Sequence, residues 1–140
     1  MSSLIVGAGP VGLTLALLLQ RYRVPFRIIE KRSQAVIQTK AAGLWSRSLE
    51  VLEHLDLAQN FMEAAHRSDH GNIFVQGRRA LRLDLTELPT RYNFLTLIAQ
   101  HRTEALLAEA LAQRGDPVER GVELTAWDGK TAHLETAEGT

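Results

Sequence analysis

The amino-acid sequence predicts an α/β fold of Rossmann type, a parallel sheet built on a βαβ unit, with a hairpin and a partial antiparallel β-meander added to it. Three observations lead there. An apolar run, Leu4-Ile5-Val6, ends in the glycine-rich turn Gly7-Ala8-Gly9-Pro10-Val11-Gly12. A helix pattern of small and apolar residues follows the turn at once. A second apolar run, Phe26-Arg27-Ile28-Ile29-Glu30, then ends in an acid at the distance expected of a dinucleotide-binding unit, about 20 residues on.

The first run is short and without polar alternation, which predicts a strand buried on both faces. Residues 11–21 read as a helix. Leu13, Ala16, Leu17 and Leu19 are too continuous for a surface helix, so it should pack against a sheet. Pro25 interrupts the pattern before the second strand. Strand, helix and strand within about 30 residues make one βαβ unit with parallel strands and a right-handed crossover. Residues 31–44 read as a polar, irregular connection. Ser46 is the expected N-cap of a helix through Leu55, with Leu49, Leu52 and Leu55 on one face. Asp56 and Gln59 have capping-box spacing, which predicts a short helix through about Ala65.

Residues 71–76 and 80–85 read as two strands of a half-exposed hairpin, with Gly77-Arg78-Arg79 at its tip. Residues 99–114 form a long helix pattern that buries Leu106, Leu107, Ala110 and Leu111 and ends at Gly115-Asp116-Pro117. Residues 118–126 and 131–136 read as strands joined through a turn at Asp128-Gly129. Residues 118–120 should supply the third parallel strand, beside the second. Residues 137–140 read as another turn, after which a further strand is expected, so the fold is expected to be truncated.

Composition narrows the function classes. The chain has 140 residues, 45% of them hydrophobic, and its 16 basic and 16 acidic residues cancel. That balance gives no electrostatic footprint for nucleic acid or an anionic membrane surface, so neither is expected as a partner. No cysteine is present, which removes disulfides and thiolate chemistry and fits a cytoplasmic location. The uncharged stretch 4–20 is interrupted by glycine and proline and is shorter than the roughly 20 residues that span a bilayer. His66 and His70 lack the context of a metal-binding helix, and no metal site is expected. Asp84 and Glu87 read as a solvated face, and Trp45 and Trp127 as partly buried residues. Phe74 and Tyr92 are expected in core packing.

The glycine turn carries the chemistry. Gly7 permits the turn out of the strand, Gly9 lets backbone approach a pyrophosphate, and Gly12 lets helix lie close on strand. The helix beginning at Pro10 and Val11 offers free N–H groups and a positive dipole end to phosphates. Glu30 is placed to accept hydrogen bonds from ribose hydroxyls, and its charge opposes a 2′-phosphate, which argues against NADP as the ligand of this site.

With those residues in place, the sequence resembles the FAD-dependent aromatic hydroxylases, the group A flavoprotein monooxygenases. Glu30-Lys31-Arg32 looks like that family's acid-plus-basic end of the second strand. The stretch from Ala42 to Glu50 looks like its segment with an arginine just inside a helix. The stretch from Ala99 to Leu107 looks like the place where a glutamine opens the long helix. The resemblance implies FAD as cofactor, with Arg47 on the pyrophosphate or ribose, Gln100 on the phosphates or ribitol, and Arg32 beside the adenosine end. It implies hydroxylation of a phenol-like aromatic substrate with NADH or NADPH and O2; a homodimer is compatible with the sequence, which does not fix the oligomeric state. The chain would be the N-terminal part of the FAD-binding domain, with residues of about 70–98 an inserted hairpin of the substrate-side layer. The family's other two FAD motifs would lie beyond Thr140. No residue of the chain is expected to act as acid, base or nucleophile. Alternative readings are another flavin enzyme with the same N-terminus, such as a halogenase or an isoprenoid-lipid reductase, and a nucleotide-binding or regulatory module without redox chemistry.

Overall fold

The computed structural model describes residues 3–35, 37 and 43–136. They divide into two compact units, one made of residues 1–38 and 101–140, the other of residues 39–100. The expected turn at 137–140 and Ala42 of the resemblance lie outside the described residues.

In the first unit, β1 (Ser3–Val6), β2 (Phe26–Glu30) and β7 (Glu119–Arg120) form one parallel sheet in the order β1-β2-β7. α1 (Pro10–Arg21) crosses from β1 to β2 and buries Leu13, Ala16 and Leu17. Ile5, Ile28 and Ile29 are buried in the sheet. The expectation of a first strand buried on both faces is corrected: Val6 is 56% exposed. Among the described residues β1 lies at the edge of the sheet, and Val6 borders an open cavity shared with Val122 and Leu124.

β7 lies in register with the end of β2, Ile29 opposite Glu119 and Glu30 opposite Arg120, as the expected third strand. A bidentate ion pair from Arg27 to Glu119, at 2.8 and 2.6 Å, ties the two strands. The single strand expected over 118–126 is broken at Gly121, whose φ of +73° ends β7 and starts β8 (Val122–Trp127). β8 pairs antiparallel with β9 (Ala132–Thr136). Asp128 accepts hydrogen bonds from the N–H groups of Lys130 and Thr131, and Gly129 has positive φ, which closes the turn read from the sequence.

α4 (Gln100–Gln113) buries Thr103, Leu107, Ala110 and Leu111, while Leu106 is half-buried. It ends on Gly115 at φ +99°. The N–H of Asp116 donates to the Leu111 carbonyl and that of Gly115 to the Ala112 carbonyl, the Schellman arrangement. The amide of Gln20 donates to the Asp116 carboxylate and the Arg114 carbonyl, joining the C-terminal ends of α1 and α4.

The second unit packs α2 (Ser46–His54) and α3 (Ala58–Glu63) around Leu49, Leu52, Leu55 and Phe61. Two expected caps are corrected. Ser46 is already inside α2, where its hydroxyl donates to the Tyr92 carbonyl, and Trp45 holds the cap position. Asp56 sits at φ +61° and Leu57 caps α3, so the Asp56/Gln59 capping box does not form. Tyr92 is buried against Phe94, edge to face, as expected of a core residue. Trp45, Phe74 and Trp127 are all exposed, contrary to expectation.

β3 (His66–Ser68) and β6 (Leu95–Leu97) form an antiparallel pair that the sequence pattern did not reveal. The expected hairpin is present as β4 (His70–Val75) and β5 (Arg78–Asp84). Its tip is Gln76-Gly77 with both φ values positive, so Arg78 and Arg79 belong to β5 and not to the turn. The hairpin is exposed rather than half-exposed: Ile73, Val75, Leu81 and Leu83 share a face that the described residues leave open.

Candidate functional site

Gly7 leaves β1 at φ +104°, a conformation that disfavours any side chain. Its N–H donates to the Ile29 carbonyl, which locks the turn to the end of β2. A Cβ on Gly12 would lie 2.2 Å from the Gly7 carbonyl oxygen and 3.3 Å from Ile5, so α1 approaches β1 only because residue 12 is glycine. A Cβ on Gly9 would meet nothing within 4 Å. The space beside Gly9 is therefore free for a ligand rather than for packing. Gly9 caps α1 without a side-chain acceptor, and Pro10 occupies the first turn, where its missing N–H costs nothing. Val11, at 84%, is one of the most exposed apolar residues.

Glu30 closes the other side. Its Oε2 accepts the Ala8 N–H at 3.0 Å and its Oε1 accepts the Arg32 N–H at 3.1 Å, so backbone fixes both carboxylate oxygens. Partial burial opposes the charge. The two N–H donors and the nearby charges of Arg32 and Arg120 outweigh it and hold the carboxyl below its usual value. Glu30 thus meets a ligand as an acceptor-only anion. A cavity of about 80 Å³ lies between these groups, lined by Ala8, Gly9, Glu30, Arg32, Glu104 and Arg120, among others. A second, of about 340 Å³, runs from Val6 and Glu30 to Lys31, Val122 and Leu124. Lys31 there lies 3.5 Å from Glu123.

The structure thus brings Gly7, Gly9, Pro10, Val11, Gly12, Glu30, Lys31 and Arg32 into one unit. Arg47 belongs to the other unit, on the first turn of α2, where its exposed guanidinium pairs with Glu50 at 2.8 Å. Gln100 is the first residue of α4, as read from the sequence. Glu104, Arg120 and Val122 were not singled out from the sequence. Register could have found Arg120, since a third strand beside β2 sets it opposite Glu30.

Residues 1–138 match the family model described as FAD binding domain. The chain belongs to this family of FAD-binding domains. It is 39% identical over 123 residues to a 6-methylpretetramide 4-monooxygenase of Streptomyces rimosus, covering 86% of this chain and 22% of that protein. It is 34% identical over 143 residues to a pentachlorophenol 4-monooxygenase of Sphingobium chlorophenolicum, covering 98% of this chain and 27% of that protein. The solved anhydrotetracycline hydroxylase of Streptomyces rimosus superposes with a TM-score of 0.88 at 28% identity, over 99% of this chain and 29% of that one. The chain therefore spans about a quarter of the length of the curated relatives it matches. FAD is the cofactor of this domain family, and the residues present fit it: a side-chain-free approach at Gly9, an uncapped helix start and a carboxylate fixed by backbone N–H groups stand together.

Proposed function

We propose that this chain supplies the FAD-binding portion of a flavin-dependent monooxygenase that hydroxylates a phenol-like aromatic substrate with NADH or NADPH and O2. The observation that carries the reading is the Glu30 carboxylate, fixed by the N–H groups of Ala8 and Arg32 beside the open flank of Gly9. A fixed carboxylate beside unobstructed backbone is what a ribose next to a diphosphate calls for, and this supports the reading. The names of the relatives, a 6-methylpretetramide 4-monooxygenase and a pentachlorophenol 4-monooxygenase among them, support the reaction class.

In this reading the first N–H groups of α1 bind the diphosphate, with the positive end of the helix favouring its charge. Glu30 accepts from the adenosine ribose, and Lys31 and Arg32 border that end. Arg47 contributes a guanidinium to the pyrophosphate or ribose, and Gln100 both donates to and accepts from the phosphate–ribitol stretch. When bound, FAD would supply the redox chemistry, hydride uptake from a nicotinamide and activation of oxygen. This chain's residues bind and orient it, and none is assigned as acid, base or nucleophile.

Calorimetric titration of the chain with FAD and, separately, with ADP tests the reading. Both should bind, Gly9→Val should abolish both, and Glu30→Ala should weaken both. A folded chain that binds neither ligand would remove the proposal.

A further inference from the structure

The cavity beside Gly9 poses an electrostatic problem. The Glu30 carboxylate of β2 lines it, yet the ligand proposed for it carries a negatively charged diphosphate. Like charges at such range repel unless cations offset them. Two guanidiniums share the cavity: Arg32, two residues after Glu30 in the chain, and Arg120, which arrives from β7. Residues in register on adjacent parallel strands point to the same face, so Arg120 stands beside Glu30 with its side chain toward the same space.

Its position is fixed from both sides. The pair Arg27–Glu119 clamps the preceding residue, and the N–H of Gly121 donates to the Arg32 carbonyl at 3.4 Å. Arg27 and Arg120 are thus used differently. The guanidinium of Arg27 is consumed in pairing two strands. That of Arg120 lines the cavity, where its charge acts on Glu30.

We infer that Arg120 is a further ligand-binding residue of the nucleotide site, donating hydrogen bonds to the ribose–diphosphate oxygens of the adenosine half of FAD. The inference rests on the FAD reading given above. Glu30 keeps the acceptor role at the ribose, while Arg120 supplies donors and cancels the carboxylate charge on that side. The fork of a guanidinium suits paired oxygens better than an ammonium does.

The test is calorimetry of the chain with ADP and with FAD, for wild type, Arg120→Gln, Arg120→Lys and Lys130→Gln. Lys130→Gln removes one positive charge at the β8–β9 turn, outside the cavity lining. Arg120→Gln should weaken ADP and FAD by the same factor, about tenfold for a lost charge-assisted contact. Arg120→Lys should recover part of it, and Lys130→Gln should change little. Urea midpoints close to wild type establish that each variant is folded. Unchanged ADP affinity in Arg120→Gln, or an equal loss in Lys130→Gln, overturns the inference. Binding of ADP without FAD sinks the flavin reading instead, and the Arg120 comparison is then decided on ADP alone. A folded wild-type chain that binds neither ligand overturns both.

Discussion

Two strand pairs of this molecule are built on opposite terms. β1 and β2 are parallel and joined by α1, whose Leu13, Ala16 and Leu17 are wholly buried. β4 and β5 are antiparallel and joined by two residues, and all of β5 is exposed. The first pair is held by packing so close that residue 12 must lack a side chain. The second is held by its own ladder and by the turn at Gln76-Gly77. At the glycine turn, packing fixes Gly12 and two backbone donors fix Glu30. In the hairpin, every residue of β5 is exposed.

The comparison can be broken first in the core. Leu17→Ala should cost roughly 4 kcal/mol in a urea melt, because a fully buried leucine leaves a cavity behind. Leu83→Ala on β5, judged by the same melt, should stay within about 0.5 kcal/mol, as expected of a surface substitution. A loss at Leu83 comparable to that at Leu17 would erase the distinction.

Gly12→Ala sharpens it. Helix propensity alone favours alanine by about 1 kcal/mol. The added Cβ would sit 2.2 Å from a backbone oxygen, and overpacking of this kind costs about 3 kcal/mol, so a net loss of roughly 2 is expected. A gain in the melt would mean that α1 can move off β1 freely.

The pH dependence of Glu30 comes next. Its carboxyl is held below its usual value in the folded chain, so its stabilising contribution is complete above the unfolded value of about 4.3. That contribution is lost as pH falls through the lower, folded value. Urea midpoints measured from pH 6 downward should fall less steeply for Glu30→Gln than for wild type, and parallel slopes would show that the two backbone contacts contribute nothing. The smallest effect belongs to the hairpin. Gln76 holds φ +49°, which asparagine tolerates better, so Gln76→Asn should raise the unfolding free energy in the same melt by about a few tenths of a kcal/mol.

The same contrast governs what could be read from the sequence. The glycine turn and the Gly115 stop of α4 were legible because each depends on a backbone geometry that few residues satisfy, and β2 because its apolar run ends in an acid at dinucleotide-site spacing. The β3–β6 pair was not. Each strand has three residues, and their partners are some 30 positions apart, so no local alternation announces them. Ser46 and Asp56 have the chemistry of caps, but tertiary demands won. The Tyr92 carbonyl took the Ser46 hydroxyl, and the tight turn between α2 and α3 took Asp56. In the site, Gly9 and Glu30 were visible as a motif, whereas Glu104 and Arg120 enter through strand and helix placement.

The clasp between Arg27 and Glu119 joins residues 92 positions apart, whereas Ala8 and Glu30 are separated by only 22. Closing the longer loop costs only about 1 kcal/mol more in chain entropy, since the penalty grows with the logarithm of length. Its cost is paid in time. A ribosome adding about 5–20 residues per second needs on the order of ten seconds between releasing β2 and releasing β7. During that interval the outer edge of β2, with Ile28 and Ile29 beside it, waits for its parallel neighbour. The nucleotide unit is thus finished only after the whole of residues 39–100 has been made.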